Sequence, residues 1–309
     1  MKERLNSFTG TQSLEMPLVE IPELINNWVR VGDLTLLIGS SGIGKSTVSL
    51  PLGLSLAGGV DFLNCKVPSP EKVLYLDLEM GEYEFRTRLN ILLPQFPEVT
   101  RQNFHWLSLP SKDITNFKID VEKDRERLIN ELEEIHPKLL IIDNHTRFHS
   151  GNPNSEEEMT NILLTPFSQI MSRFELAILY LMHVGWKDKK RPRGTSAILD
   201  AASTEIAVVG RSLRSRVLHW GKNRSVRRQH GPSKLNIFYD PETLMIECES
   251  EADITDIFDQ IEWPIARTQL VNQVMEKWSV GKTIAYQQVR DKIDSGELIA
   301  EGKMLWRNR

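Results

Sequence analysis

The chain has 309 residues, of which 40% are hydrophobic and 26% are charged, so it is long enough for one large core and a smaller second unit. The formal net charge is −4, so the overall composition gives no reason to expect a nucleic-acid partner. Any basic surface must come from local clustering of basic residues. The two cysteines, Cys65 and Cys248, are too few for a zinc site or a disulfide framework and favour a reducing compartment. No apolar run reaches the roughly 20 residues that span a bilayer, and the first residues lack the apolar core of a signal peptide. We therefore expect a cytoplasmic protein that makes no membrane contact.

A glycine-rich segment follows the first apolar strand, which covers residues 34–38. The pattern Gly-x-x-x-x-Gly-Lys-[Ser/Thr] is met at residues 39–46, with a strand before it and a helix after it, and this predicts a phosphate-binding loop. Successive backbone N–H groups of such a loop face one concavity, so it holds the phosphates of ATP. We expect Lys45 to reach the outer phosphates and the Ser46 hydroxyl to bind Mg²⁺. The predicted nucleotide-binding residues are Gly39, Ser40, Ser41, Gly42, Ile43, Gly44, Lys45, Ser46 and Thr47.

Apolar strands alternate with helices from here to about residue 247. Pro51 should kink the first helix, and Pro166 should bend or split the helix that a capping box at Ser155 and Glu158 begins. Strands that are apolar on both faces imply an α/β fold with a mainly parallel sheet covered on both sides. The predicted helices cover residues 46–56, 83–93, 121–135 and a stretch from 155, and the later strands cover 73–78, 104–107, 139–143, 176–182, 217–221, 235–239 and 244–246.

Polar residues at the strand ends should meet at the carboxyl edge of this sheet. Asp143 closes an apolar strand and is suited to hold Mg²⁺ with Ser46, although such an acid can also cap a helix or anchor a loop. Glu79 is the candidate general base for the attacking water, and Asp77 is its rival, since strand alternation puts both on one face with Glu79 nearer the edge. His183 could sense the γ-phosphate or could be only a hydrogen-bonded neighbour.

Four later segments carry a resemblance to a known family. Tyr-Leu-Asp-Leu-Glu at 75–79, Asp-Asn-His-Thr-Arg-Phe-His at 143–149 and Arg-Gly-Thr-Ser-Ala at 193–197 resemble the RecA-like ATPases that include the plasmid-encoded RepA-type hexameric replicative helicases. Gly-Lys-Asn-Arg at 221–224, followed by Gly-Pro at 231–232, resembles a strand and hairpin of the DnaB-type helicases. The resemblance covers residues 20–247. It implies a RecA-like P-loop core in a homo-oligomeric ring, a hexamer in that family, with Glu79 as catalytic glutamate, Asp143 at the metal and His183 ending the sensor strand.

The same resemblance gives two basic residues a role across a subunit interface. Lys222 and Arg224 would reach the γ-phosphate held by a neighbouring subunit, where a guanidinium stabilises transition-state charge and makes hydrolysis depend on assembly. An insertion between Arg224 and Gly231 lengthens the hairpin relative to the family. The alternatives are a solvated basic face and three rival arginines, Arg211, Arg214 and Arg216.

A basic loop follows the strand that ends at His183. Exposed charge runs are usually only solvated faces, but the resemblance places this loop in the central channel of a ring, where it could grip single-stranded DNA. The predicted DNA contacts are Lys187, Lys189, Lys190, Arg191 and Arg193.

The composition changes after residue 247. We predict four segments: an N-terminal arm at residues 1–19, the ATPase domain at 20–247, an acidic linker at 248–254 and a small separate unit at 255–309. In this unit, helical patterns over 270–278 and 284–293 and a hairpin over 295–306 resemble a winged helix-turn-helix domain. Its charges are mixed, so its partner could be nucleic acid or a replication protein.

Two functions are consistent with these features. The first is a ring-forming, DNA-dependent ATPase, a replicative-type DNA helicase of a plasmid, phage or other mobile element. The alternative is an ATP-gated DNA-binding regulator or loader that recruits partners without unwinding DNA. The sequence shows no arginine-rich lid insertion beside a substrate pocket, so a small-molecule kinase is disfavoured.

Overall fold

The computed structural model describes residues 8–18, 20–109, 116–184, 196–210, 215–223, 233–248, 261–278, 285–286, 289–290, 292–293 and 296–307. The strands are β1 (Glu23–Ile25), β2 (Val29–Arg30), β3 (Leu34–Gly39), β4 (Val73–Asp77), β5 (Phe104–Ser108), β6 (Leu139–Asp143), β7 (Ala177–His183), β8 (Thr204–Gly210), β9 (Ser215–Asn223), β10 (Lys234–Tyr239), β11 (Ile246–Cys248), β12 (Ile265–Ala266), β13 (Leu298–Glu301) and β14 (Met304–Arg307). The helices are α1 (Gly10–Glu15), α2 (Lys45–Gly58), α3 (Glu82–Leu92), α4 (Val99–Asn103), α5 (Glu122–Ile135), α6 (His145–Phe148), α7 (Glu156–Met159), α8 (Thr165–Phe174), α9 (Ser196–Ala201) and α10 (Arg267–Trp278). Within these described ranges, no helix has the length and apolar character needed to cross a membrane.

A nine-stranded sheet forms the centre of the fold, in the order β11-β10-β9-β8-β3-β7-β6-β4-β5. The strands from β5 to β8 in this order pair in parallel, and β9, β10 and β11 extend the sheet by antiparallel pairing. The predicted α/β class with a mainly parallel sheet is therefore confirmed.

The central strands are apolar throughout because both faces of the sheet are covered. Leu37 and Ile141 belong to the hydrophobic core that packs under α2, whereas Leu36 and Ile142 belong to the core that packs under α5 and α8. Successive side chains of a strand point to opposite faces, so each strand contributes to both cores. This arrangement leaves the strand ends as the places where polar side chains can gather.

Helix α2 lies against the sheet and is buried along almost its whole length. A Cβ atom on Gly53 would lie 2.9 Å from Ile141 Cδ1, so the glycine allows close approach between helix and strand. The helix continues through Pro51 without interruption and ends at Gly58, and the next residue, Gly59, caps it with a φ of +68°. The proline removes one backbone donor, but packing on both sides holds the helix together.

The helix predicted to be bent or split near Pro166 is not split, because the residues at the junctions of α7, the π-helical turn Thr160–Leu164 and α8 all have right-handed helical backbone angles. The π-helical turn lies directly before Pro166, and its altered hydrogen bonding accommodates a residue that has no N–H to donate. The predicted capping box forms only in half. Ser155 Oγ accepts from Glu158 N, but the Glu158 carboxylate accepts from Asn152 N instead of returning to the cap.

The elements that were not predicted include α9 and β8. β8 pairs with β3 on one side and β9 on the other, and this pairing holds a segment whose burial alternates between buried and half-buried. The last strand of the sheet is β11, two residues later than expected, because Leu244 closes the turn with its N–H on Asp240 O.

The C-terminal residues form a third hydrophobic core of their own. α10 packs against the antiparallel sheet β12-β14-β13, and the hairpin predicted over residues 295–306 is present as β13 and β14. Phe238 of β10 is packed against this core. Its buried residues are Ile265, Leu270, Val271, Val274, Ala285, Val289, Leu298 and Leu305.

Candidate active site

The glycine-rich segment joins the end of β3 to the start of α2, and its conformation requires glycine. Gly42 and Gly44 have φ values of +71° and +100°, which favour glycine. A Cβ on Gly39 would lie 2.7 Å from Ile43 Cγ2. Ser40 and Ser41 are exposed, so the concavity of backbone N–H groups is open to a ligand at the helix N-terminus.

Lys45 is buried inside this loop. Its Nζ donates to the carbonyl oxygens of Gly39 and Ser40, each at 3.1 Å, and lies 3.1 Å from His183 Nδ1. Burial lowers the pKa of Lys45, and the carboxylates of Asp143 and Glu79 act in the opposite direction. The ammonium group therefore lies at the centre of the predicted phosphate cradle, beside the acids of the site.

Asp143 is buried at the end of β6 and is surrounded by hydroxyl groups. Tyr75 OH donates to Asp143 Oδ2 at 2.8 Å, and the Ser46 hydroxyl is hydrogen-bonded to the same carboxylate. Burial, with repulsion from Asp77 and Glu79, raises the pKa of Asp143 to about 6 against the effect of these hydrogen bonds. Mg²⁺ prefers hard oxygen ligands, and a cation would relieve the cost of a buried carboxylate here. The donor set of Asp143 and Ser46 therefore fits the predicted metal.

Asp77 and Glu79, the two rival acids, have different surroundings. Asp77 is fully buried, and its carboxylate accepts from the backbone N–H groups of Glu79, Met80 and Gly81 at 2.9 to 3.0 Å and from Ser108 Oγ at 2.8 Å. The oxygens of the Asp77 carboxylate therefore hold the turn at residues 79–81. β4 ends at Asp77, so the expectation that strand alternation sets the direction of Glu79 is wrong. Glu79 lies in the turn itself, is exposed, and is the acid free of this structural task.

Asn144 was missed in the sequence and lies at the centre of the site. Its Nδ2 donates to Glu79 Oε2 and lies 3.2 Å from His183 Nε2. Asn144 is buried and directly follows the strand-ending Asp143, which is the only signal that could have pointed to it. Through these contacts Gly39, Glu79, Asp143 and His183 converge at the carboxyl edge of the sheet, as predicted.

A buried polar cluster involves α6, the helix that directly follows Asn144. His145 Nδ1 is 2.8 Å from Tyr180 OH, and His149 Nε2 is 3.3 Å from the His145 ring nitrogens. Arg147 Nη1 donates to Leu78 O and so ties α6 to the turn that carries Glu79. Burial lowers the pKa of His149, which favours the neutral form of this imidazole.

β9 carries two of the predicted trans residues at opposite ends. Arg216 Nε donates to Ile43 O, so this arginine contacts the phosphate-binding loop of its own chain. Lys222 pairs in register with Glu205 at the other end of β8, and its Nζ donates to Leu199 O and Asp200 O. The two residues are six positions apart along the strand, which corresponds to roughly 20 Å. Arg216 is therefore a cis residue of the loop, and Lys222 is not at its own loop.

The remaining predicted contacts lie outside the described residues. These are Arg224, its rivals Arg211 and Arg214, and the basic loop residues Lys187, Lys189, Lys190, Arg191 and Arg193.

Similar proteins were found among the solved structures. The KaiC-like protein of the hyperthermophilic archaeon Pyrococcus horikoshii superposes with a TM-score of 0.52 at 14% identity, over 75% of this chain and 100% of that chain. The flagellar accessory protein FlaH of Methanocaldococcus jannaschii gives a TM-score of 0.49 at 15% identity over 71% and 90% of the two chains, and the RadB recombinase gives 0.49 at 17% over 71% and 92%. No curated protein matches the sequence significantly. The sequence profile of the AAA domain family matches residues 3–189, and the chain therefore belongs to this family, as a P-loop ATPase with a RecA-like fold.

Proposed function

We propose that this protein hydrolyses ATP as a ring-forming, DNA-dependent ATPase of the replicative helicase type, from a plasmid, phage or other mobile element. The observation that supports hydrolysis is the position of Glu79. It is an exposed carboxylate at the phosphate end of the sheet, and neither the turn held by Asp77 nor the network around Asp143 uses it. A carboxylate beside the phosphates can accept the proton of an attacking water.

The other residues of the site have roles that follow from their contacts. The backbone of residues 39–47 would hold the phosphates, and Lys45 would leave Gly39 O and Ser40 O for the outer phosphates. Ser46 and Asp143 would hold Mg²⁺, which when bound neutralises charge on the phosphates. His183, in contact with Lys45, is placed to sense the γ-phosphate.

Ring formation and DNA binding are the further parts of the proposal. Lys222 lies far from its own loop, which suits a residue that serves a neighbouring subunit, and Arg224 follows it by two positions. The basic residues 187–193 directly follow β7, whose last residue is His183, so nucleotide state could be passed to a DNA-contacting loop. The C-terminal unit is proposed to be a winged helix that binds DNA or a replication protein.

The test is steady-state ATP hydrolysis by the full chain, with and without single-stranded DNA, together with unwinding of a forked duplex. We expect single-stranded DNA to stimulate hydrolysis and the assembled protein to unwind the fork. A protein that assembles but shows neither stimulation nor unwinding would exclude the helicase.

An ATP-gated regulator or loader is the second candidate function. It is favoured by one observation, that Lys222 is held by carbonyl groups of its own chain instead of being presented outward. In this case hydrolysis would be slow, and DNA binding would depend on ATP without any unwinding.

The trans role of Lys222 and Arg224 can be tested by mixing variants. Rings that combine Arg224→Ala with Lys45→Ala protomers should regain activity, because an intact loop in one protomer meets an intact finger in the next. The same result is expected for Lys222→Ala with Lys45→Ala. Arg216→Ala is the matched control: it contacts its own loop, so its mixture with Lys45→Ala should stay inactive. Full activity of homogeneous Arg224→Ala and Lys222→Ala rings would exclude the trans role.

A further inference from the structure

Four side chains form one continuous line of contacts across the site. Lys45 Nζ lies 3.1 Å from His183 Nδ1, and His183 Nε2 lies 3.2 Å from Asn144 Nδ2. Asn144 Nδ2 in turn donates to Glu79 Oε2. The line runs from the lysine of the phosphate-binding loop to the proposed general base. It passes through Asn144, to which no role has yet been assigned.

The hydrogen atoms available do not satisfy all of these contacts at once. The Glu79 carboxylate only accepts, so the Asn144 group that faces it is the NH₂ group, and the second hydrogen of this group is available to His183 Nε2 at 3.2 Å. The Lys45 ammonium only donates, so it requires His183 Nδ1 to be an acceptor. A neutral imidazole has one acceptor nitrogen and one N–H group. His183 can therefore accept from Lys45 or from Asn144, but not from both.

This competition gives the site two arrangements. While Lys45 lies against His183, the imidazole carries its hydrogen on Nε2, and the contact with Asn144 is poor. When phosphate oxygens draw Lys45 away, His183 can carry its hydrogen on Nδ1 and accept from Asn144 at Nε2. Asn144 then bridges His183 and Glu79 with two good hydrogen bonds, and one carboxylate oxygen of Glu79 is fixed in place.

We propose that Asn144 is a positioning residue. When a γ-phosphate is bound and His183 changes its hydrogen bonding, Asn144 orients Glu79 for hydrolysis. This inference rests on the proposed ATP hydrolysis. Asn144 Oδ1 is buried and has no hydrogen-bond partner among the residues that the structure describes, so we assign the function of the side chain to its NH₂ group. Asn144 acts through Glu79 and does not itself contact the reacting water.

The first experiment measures kcat, KM and fluorescent ADP binding for Asn144→Ala and for the isosteric Asn144→Asp. Both variants should lose about 10- to 100-fold in kcat, since misplacing a catalytic group by about 1 Å can cost 10²-fold, while ADP affinity should stay within roughly 3-fold of wild type. The matched control is Asn103→Ala, which removes a similar amide bond to Ala57 O far from the site and should leave kcat unchanged. Wild-type kcat in Asn144→Asp would overturn the proposal.

A double-variant cycle separates a relay from an independent structural effect. If Asn144 acts in line with His183, the double variant His183→Ala, Asn144→Ala should be no slower than the slower single variant. Losses that multiply would contradict the relay. If the wild-type protein hydrolyses no ATP, the proposed function fails, and this failure is distinct from a normal rate in the Asn144 variants.

A second measurement needs no Asn144 variant. Nitrogen NMR of the His183 imidazole in the wild-type chain should report hydrogen on Nε2 without nucleotide and on Nδ1 with Mg²⁺ and a non-hydrolysable ATP analogue. An unchanged tautomer would overturn the proposal, even if both Asn144 variants failed to fold.

Discussion

Glutamine in place of Glu79 is expected to slow ATP hydrolysis by about 10²- to 10⁴-fold, the range for loss of a general base. Nucleotide binding should persist, because Lys45 of the phosphate-binding loop is hydrogen-bonded to Gly39 O, Ser40 O and His183 and not directly to Glu79. The backbone should also persist, since the turn at residues 79–81 is held by the Asp77 carboxylate. The measurements are single-turnover hydrolysis and fluorescent ATP binding.

Two variants serve as controls for this result. Glu82→Gln changes an exposed acid of α3 whose side chain is paired with Arg86, and it should hydrolyse ATP at the wild-type rate. Asp77→Asn should instead lower stability, by about 1.5 to 3 kcal/mol for each charged hydrogen bond that is lost. If Asp77→Asn stayed stable but inactive while Glu79→Gln stayed active, the two assignments would have to be exchanged.

Asparagine in place of Asp143 should have opposite effects on stability and on activity. Mg²⁺-dependent hydrolysis should fall by about 10²-fold or more, because the site loses the charged ligand of its metal and the several kcal/mol of transition-state stabilisation that the metal supplies. The nucleotide-free protein should become more stable, since the substitution removes a buried carboxylate that Asp77 and Glu79 repel. Such a gain is typical of residues that function requires at a cost in stability.

The effect of pH on this second variant has a defined sign. The folded-state pKa of about 6 lies above the ordinary value for aspartate, so wild-type stability should fall as pH rises from about 4 to 6 and then level off. Asp143→Asn lacks this fall, and its advantage should grow to about 2 to 3 kcal/mol above pH 6. Mg²⁺ binding needs the ionised acid, so metal-dependent stabilisation of wild type should appear as pH rises through about 6. Melting curves with and without Mg²⁺ and ADP test both statements, and equal Mg²⁺ stabilisation of the variant at pH 8 would contradict them.

The sequence predicted those parts of the site that follow from strands and their ends. Gly39, Asp143 and His183 each close an apolar run, and strands of this kind must lie side by side in a parallel sheet. Their side chains therefore had to meet at one edge. The loop glycines were equally predictable, because their backbone angles exclude most other residues.

The missed features depend on tertiary contacts that no local pattern records. Asn144 acquires its role from Glu79 and His183, which lie 65 and 39 positions away in the chain. Arg216 could not be separated from its rivals, because its contact with Ile43 O arises only when β9 pairs with the unpredicted β8. Strand alternation could not give the orientation of the Glu79 side chain, because β4 ends at Asp77 and the Asp77 carboxylate holds the turn that follows.

In the turn after β4, two acidic side chains have different roles. The Asp77 carboxylate holds the backbone of the turn, whereas the Glu79 side chain projects from the turn and does not hold its backbone. A substitution at Glu79 should therefore remove the proposed general base and leave the backbone of the turn unchanged. Glu79→Gln should trap the protein with unhydrolysed ATP in place, and that long-lived complex is the sample in which imaging could count the subunits of the assembly.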